Sequence, residues 1–197
     1  MKDRIAGAEI EPMVDPRLLQ DVLGEALATG GEFAEVFVED RRSTSALLDD
    51  GRIEEMASGR DRGAGIRVVV GETTGFAHTA DLSPASLRAA SAAASAAARG
   101  GGGEVREVVL DRPSGPPSAV VEVFPSDVAK DRKVALLAEA DEAARARDGA
   151  ITQVTARYAD SQRRIQIANS DGLLTGDRQV RTLFSVSCVA SGDSGLQ

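Results

Sequence analysis

The spacing of apolar positions predicts a helix near the start of the chain. Between residues 16 and 30, apolar side chains recur on one helix face, a pattern more typical of core packing than of a partner-helix face. Asp15 suits the N-cap, Pro16 suits the first helical position, and Gly30-Gly31 ends the pattern. The predicted buried face consists of Leu18, Leu19, Val22, Leu23, Ala26 and Leu27.

From Phe33 to Ala80 the period of the pattern changes to two, which predicts strands. Asp49-Asp50-Gly51 is a strong hairpin turn, and Arg41-Arg42 interrupts the first alternating run. The polar segment 59–63 and residues 72–75 provide two further predicted turns. We therefore expect an antiparallel meander of five short strands, at 34–39, 43–48, 53–57, 66–70 and 76–80.

Two more helices are predicted after this meander. Ser83-Pro84 begins a helix that is rich in alanine, so it can lie close to a sheet. A proline-rich loop with a short strand candidate at 105–110 follows, and Ser126 or Asp127 begins a third helix that ends at Asp148-Gly149. The residues of this helix expected to face inward are Val134, Leu137, Ala140 and Ala144.

A second meander is predicted from Ile151 onward, with strands at 151–159, 164–168 and 180–190 and turns at 161–162 and 169–172. Its likeness to the first meander indicates either a degenerate repeat or ordinary hairpins, and the commonness of Asp-Gly turns favours hairpins. The predicted fold class is α+β, with antiparallel β-meanders packed with about three helices. We divide the chain into a flexible arm (1–14), an α+β domain (15–191) and a linker (192–197).

Composition narrows the classes of function. The net charge is -8 and the pI about 4.8, which argues against a sequence-independent nucleic-acid binder because such proteins need a basic surface. The first residues have no apolar signal-peptide core, and no apolar run is long enough to span a membrane. A single cysteine excludes an intrachain disulfide and suits a reducing compartment. We therefore expect a cytoplasmic protein without nucleic-acid or membrane partners.

The chemically versatile side chains are few. His78 is the single histidine in the sequence, so no histidine pair can bind a metal. A dyad of Cys188 with His78 is a formal alternative, but Cys188 lies in an alternating apolar strand and is expected to be buried and unreactive. The glycines at 63 and 65 precede a strand instead of opening a helix, which disfavours a phosphate-binding loop.

Two polar residues occupy positions that packing does not explain. Arg67 lies among valines in a predicted strand, so it either faces solvent, which we favour, or reaches a carboxylate. Asn169 opens the segment Asn169-Ser170-Asp171-Gly172, where its side chain is expected to satisfy the backbone of its own turn.

Taken together, these segments resemble the N-terminal region of the TldD/PmbA family, once called modulators of DNA gyrase. The likeness lies in Gly63-x-Gly65-Ile66-Arg67-Val68, Gly71 and Thr74-Gly75-Phe76-Ala77, and it extends to Ile167-Ala168-Asn169-Ser170-Asp171-Gly172. Arg67 and the Thr-Gly-Phe-Ala tetrad are more similar to the TldD branch than to its metal-free partner branch. The likeness covers most of residues 15–195.

The resemblance implies a zinc metallopeptidase that acts with a TldE/PmbA-like partner subunit on unfolded or leader peptides. In the TldD-like members of that family the metal is bound by a His-Glu-x-x-x-His motif and a later cysteine in a C-terminal domain. This chain lacks the motif, so no catalytic or metal-binding residue is carried over and zinc is expected only in the full-length protein. As residues facing substrate or partner we predict Arg67, Thr74, Phe76 and Asn169.

Three hypotheses follow. The leading one is a non-catalytic N-terminal domain of a TldD-like peptidase, inactive alone, which shapes the substrate chamber and the partner interface. The alternative is a free-standing module that binds extended peptides by adding a strand to a sheet edge. The third is a cysteine-dependent enzyme, whose activity would be lost in Cys188→Ser.

Overall fold

The computed structural model describes residues 11–98, 107–111, 121–192 and 195–196. The chain divides into two compact units, each assembled from three separate stretches of sequence. Unit 1 comprises Met1–Asp40, Asp61–Ala119 and Arg164–Arg178, and unit 2 comprises Arg41–Arg60, Val120–Arg163 and Gln179–Gln197.

Three α-helices form within the described residues: α1 (Pro16–Leu27), α2 (Pro84–Ala97) and α3 (Lys130–Arg147). The Asp15 carboxylate accepts a hydrogen bond from the Arg17 N–H and Ser83 caps α2, so both predicted helix starts are confirmed. Helix α3 begins later than predicted, because Pro125–Asp127 forms a separate 3-10 turn, Val128 is extended and Ala129 is not helical.

The strands of the described residues are β1 (Phe33–Asp49), β2 (Arg52–Val70), β3 (Thr73–Thr79), β4 (Ile151–Asn169), β5 (Leu174–Gly192) and β6 (Gly195–Leu196). They hydrogen-bond in the order β3-β2-β1-β4-β5-β6, and β2 pairs antiparallel with β3. Helices and an antiparallel sheet together confirm the predicted α+β class.

Several predicted strand breaks are wrong. Strand β1 continues through Arg41-Arg42, where an interruption was expected, and β2 and β4 continue through residues 59–63 and 161–162, where turns were expected. The turns that do form contain residues of positive φ, Gly51 (79°), Gly71 (53°) and Gly172 (95°), whereas the 59–63 and 161–162 segments contain none. The expected breaks instead lie at, or within two residues of, the places where a strand passes from one unit to the other, at 40/41, 60/61 and 163/164.

The core of unit 1 lies between the inner face of its strands and helices α1 and α2. Helix α2 lies close to α1 because its small residues permit it: the Ser91 hydroxyl donates to the Val22 carbonyl at 3.0 Å and the Ser95 hydroxyl to the Ala26 carbonyl at 2.9 Å. The largest fully buried side chains here are Leu19, Leu23, Ile66, Leu87, Val22, Val36, Val38 and Val68.

Gly75 of β3 allows α2 to approach the sheet. A Cβ at this position would lie 1.9 Å from the Ala94 carbonyl oxygen and 2.5 Å from the Ala98 nitrogen. The Thr73 hydroxyl also donates to the Ala98 carbonyl at 2.6 Å. The expectation that an alanine-rich helix packs closely on a sheet is therefore confirmed.

Unit 2 has a smaller core, in which Leu137 of α3 packs with Ala46, Leu48, Ala156 and Tyr158. The predicted inward face of α3 is only partly right. Leu137 is fully buried, but Val134, Ala140 and Ala144 are half-buried, whereas Lys133 and Asp141 are buried. Both polar residues have partners within unit 2, which a count of apolar positions does not reveal.

Two further expectations are wrong. Residues 107–110 form no strand, and Asp111 makes one isolated bridge with Leu173, while 105–106 lie outside the described residues. Cys188 is exposed, as are its neighbours Phe184 and Val186, because β5 from Arg181 to Cys188 is exposed on both faces.

Candidate functional site

The side of the unit 1 strands opposite the core carries an unusual set of side chains. Ala34, Val36 and Val38 point into the core, so the alternate residues of β1 point away from it. Three of the five phenylalanines and the single histidine of the sequence lie on this side. We call it the aromatic face, formed by Phe33, Glu35, Phe37, Glu39, Gly63, Gly65, Arg67, Thr74, Phe76 and His78.

Arg67 lies at the centre of the contacts on the aromatic face. Its Nε is 2.8 Å from Glu35 Oε1, its guanidinium lies 5.7 Å from the centre of the Phe33 ring, and β-sheet register places it directly opposite Phe76. Its side chain is 45% exposed. Both alternatives drawn from the sequence therefore hold, because Arg67 faces solvent and also reaches a carboxylate.

Phe76 is 62% exposed, although phenylalanine is among the residue types most often buried. Its ring lies over Gly65, where an added Cβ would be 3.0 Å from the ring, and it stacks against His78 with the ring centres 6.4 Å apart. A shallow cleft of about 330 Å³ opens beside it, with Gly63, Gly65, Phe37, Phe76 and His78 among its lining residues. His78 is a surface histidine of the sheet, as expected.

The other two predicted site residues, Thr74 and Asn169, differ in whether their side chains are free to contact a substrate or partner. Thr74 is exposed and pairs with Val69, two residues from Phe76 on the same strand. The Asn169 side-chain oxygen accepts from the N–H groups of Asp171 (3.1 Å) and Leu173 (3.0 Å), so the expected turn role is confirmed. This turn is hydrogen-bonded to Ala34, between the two residues that contact Arg67.

Unit 2 presents two long exposed stretches. All residues from Asp50 to Arg60 are exposed, including Ile53 and Met56, although most of them lie in strand β2. Strand β3 pairs with β2 only from Ala64 to Val70, so no described strand flanks the outer edge of β2 before Ala64. A second exposed stretch lies in β5, with Leu183, Phe184 and Val186.

A buried polar triad is the part of unit 2 that sequence reasoning missed. Lys133 Nζ lies 2.6 Å from Asp160 Oδ2 and 5.6 Å from the centre of the Tyr158 ring. Burial, followed by a hydrogen bond to Asp160 and the charge of that carboxylate, raises the pKa of Tyr158 above its usual 10. The alternation of residues 156, 158 and 160 in β4 is a signal for one buried face, but it does not identify Lys133 as the partner.

The described residues do not fit a metal. No three His, Cys, Asp or Glu side chains within 11–98, 107–111, 121–192 and 195–196 come together to hold an ion. His78 belongs to unit 1 and Cys188 to unit 2. Among the described residues, none of the helices combines the length and the hydropathy that a membrane span requires.

Comparison with known proteins gives two matches to one family. Residues 34–98 match the model described as PmbA/TldA metallopeptidase domain 1, and residues 124–197 match the PmbA/TldA metallopeptidase central domain. Among curated relatives, a metalloprotease TldD homolog of Haemophilus influenzae is 29% identical over 157 residues, which is 79% of this chain and 33% of the relative. A metalloprotease of Methanothermobacter thermautotrophicus is 31% identical over 171 residues, covering 84% of this chain and 36% of the relative.

Solved structures show the same fold. TldE from Thermococcus kodakarensis superposes with a TM-score of 0.71 at 16% identity, covering 91% of this chain and 40% of that one. A putative modulator of DNA gyrase from Bacteroides thetaiotaomicron gives 0.70 at 18% identity, covering 90% and 41%. The chain spans about a third of the length of the two curated metalloproteases, of Haemophilus influenzae and Methanothermobacter thermautotrophicus. The two consecutive family matches, the relatives named TldD and the shared fold show that this chain belongs to the PmbA/TldD metallopeptidase family.

Proposed function

We propose that this chain is a non-catalytic, N-terminal part of a TldD-like metallopeptidase that holds extended peptide for cleavage by a metal bound elsewhere in the full-length protein. The observation that carries the proposal is the exposed outer edge of β2 in unit 2, from Arg52 to Arg60. An extended, unfolded or leader peptide can add to such an edge through main-chain hydrogen bonds, while side chains such as Ile53 and Met56 contact it.

The aromatic face supplies the partner contact in this proposal. An exposed phenylalanine beside an arginine that is already held by Glu35 and Phe33 resembles the anchor residues of protein interfaces, where aromatic residues and arginine are enriched. We assign this face to a TldE/PmbA-like subunit. Arg67, Thr74 and Phe76 are its contact residues, and Asn169 shapes the adjoining turn.

The remaining properties are expectations from the family resemblance. Zinc is the expected metal of the full-length protein, and the residues that the structure describes bring no three His, Cys, Asp or Glu side chains together as a site for it. A cytoplasmic location fits the single cysteine, because that cysteine is exposed and has no partner cysteine in the chain.

The peptide-holding part is tested by fluorescence anisotropy with a short, unstructured, labelled peptide. The double variant Ile53→Lys/Met56→Lys places charges on the β2 edge, which blocks strand addition, and we expect about a tenfold or larger rise in Kd. The control is Val109→Lys, which changes an apolar side chain in unit 1 that is even more exposed (63%, against 41% for Ile53 and 37% for Met56). Unchanged binding by the double variant would contradict the proposed edge. Zinc-dependent peptide cleavage by these 197 residues alone would contradict the non-catalytic role.

The second candidate is a free-standing peptide-binding module, favoured by the same exposed edge. It differs in one measurable respect, since the module needs no partner subunit and no downstream sequence for its biological effect. Complementation of a deletion strain by the 197-residue chain alone would support the module, whereas complementation only by the longer reading frame would support the peptidase part.

A further inference from the structure

Unit 2 contains a groove of about 530 Å³ beside the start of helix α3. Arg42 of β1, Arg60 of β2 and Lys130 of α3 line it, so three cations from three elements come together in a chain whose net charge is -8. We propose that this basic groove binds the carboxylate groups of an acidic segment of the peptide. The inference rests on the proposed function, because it assigns a charge to the peptide held at β2.

The one carboxylate lining the groove does not cancel this charge. Asp160 is bonded to Lys133 at 2.6 Å, and the two side chains are only 5% and 3% exposed. A buried pair of this kind is neutral as a whole. Arg42 and Lys130, both exposed, therefore present positive charge inside the groove, and the exposed Arg60 lines it as well.

The rest of the lining suits a carboxylate as well. Four hydroxyl-bearing residues take part, and hydroxyl groups donate hydrogen bonds to carboxylate oxygens. One of them already has partners, since the Ser126 hydroxyl lies 3.0 Å from Gln162 Oε1 and 3.3 Å from Asp127 Oδ1. The hydroxyl-bearing lining residues are Ser43, Thr44, Ser58 and Ser126.

The position of the groove connects it to the peptide edge. Ser58, Gly59 and Arg60 line the groove and also belong to the exposed part of β2. A peptide added along this edge would place side chains directly beside the cations. The volume is within the range of sites that bind ligands larger than a single small anion, which favours a peptide over a free phosphate.

The test compares two labelled peptides that differ only by Glu→Gln changes, titrated into the 197-residue chain at low and high salt. We expect the acidic peptide to bind at least about tenfold more tightly, with a difference that shrinks as salt rises. Equal binding of the two peptides would overturn the carboxylate site while leaving the β2 edge intact. Binding of neither peptide would overturn the proposed function as well.

Matched charge variants locate the site. Arg42→Gln/Lys130→Gln should remove the preference for the acidic peptide, whereas Arg17→Gln/Arg147→Gln removes the same charge from exposed positions elsewhere and should preserve it. An equal loss of this preference in both double variants would overturn the groove as the binding site and would indicate a non-specific effect of charge. Inorganic phosphate is the third probe, and phosphate binding that leaves the acidic peptide bound would also overturn the proposal.

Gly59 allows the groove to be filled without removing charge. Its missing Cβ points towards the Ser43 hydroxyl, with 3.5 Å available, and its backbone is not left-handed, so a side chain fits without strain. Gly59→Val should weaken binding of the acidic peptide by about tenfold, while the far-UV circular dichroism spectrum stays unchanged. Unchanged affinity would overturn the groove as the binding place.

Discussion

Lys133 Nζ lies 2.6 Å from Asp160 Oδ2, with both side chains almost removed from solvent. Breaking such a pair from one side leaves a buried charge, so we expect Lys133→Met to lower the free energy of unfolding by about 3–5 kcal/mol. The double variant Lys133→Met/Asp160→Asn should lose less free energy of unfolding, because the asparagine is neutral and its side-chain oxygen can still accept a hydrogen bond from Tyr158. Urea unfolding followed by far-UV circular dichroism measures both. A loss below about 1 kcal/mol for the single variant would contradict the pair's importance.

Tyr158 should resist ionisation. Its pKa is raised by burial and then by Asp160, and since the chain contains one tyrosine and no tryptophan, absorbance at alkaline pH reports this residue alone. We expect no tyrosinate in the folded protein at pH values just above 10, where an exposed tyrosine is half ionised. Because the folded pKa lies above the unfolded value, the stabilisation is complete below pH 10 and is lost as the pH rises towards the folded pKa. Ionisation at the ordinary value would show that the ring is accessible.

Asp81 should make the free energy of unfolding depend on pH in the acidic range. The hydroxyl of Ser83, then its backbone N–H and the hydroxyl of Ser86, lower the Asp81 pKa below 3.8. Its contribution is therefore present above that value and is lost as the pH falls through the lower, folded pKa. We expect Asp81→Asn to be less stable than the parent at neutral pH and to approach it in strong acid. A difference independent of pH, measured by urea unfolding, would contradict the assignment.

Gly75 should tolerate no side chain. The Cβ of Gly75→Ala would overlap the backbone of α2, so we expect a loss of about 1–3 kcal/mol or more, together with displacement of the helix. Gly149→Ala is the control, because that position has open space and no left-handed backbone, and it should stay within about 0.5 kcal/mol of the parent. Equal unfolding midpoints for the two variants would contradict the close approach of α2.

The sequence predicts elements better than their ends and partners. Helix starts at Asp15 and Ser83 and turns at Gly51 and Gly172 were predictable, since capping and positive φ depend on local residues. The strand structure of the polar segment 59–63 was not predictable, because polar side chains suit an exposed strand as well as a turn. The prediction that Cys188 is buried was also wrong, because an apolar alternation along a strand does not show whether another element covers that strand.

The candidate site was partly predictable. Arg67 and Phe76 belong to motifs of the resembled family, and antiparallel pairing places them opposite each other. The groove was not predictable, because Arg42, Arg60 and Lys130 come from three distant segments whose meeting depends on tertiary structure.

Phe76 should matter for assembly more than for stability. With most of the ring exposed, Phe76→Ser should change the free energy of unfolding by less than about 1 kcal/mol. In the full-length protein it should weaken association with a TldE-like subunit, measured by analytical ultracentrifugation. Val109→Ser, at a similarly exposed position, should leave association unchanged. Unaltered assembly of Phe76→Ser would contradict the partner role of the aromatic face.

The division of four strands, β1, β2, β4 and β5, between two units limits how the molecule can be dissected. Cutting the chain between its two family matches, in residues 99–123, would separate β1 and β2 from β4 and β5, although both units contain parts of each pair. Neither fragment would therefore contain a complete hydrophobic core. Split-protein reporters, domain exchanges with relatives and single-unit expression all require that the two halves of the gene be present together.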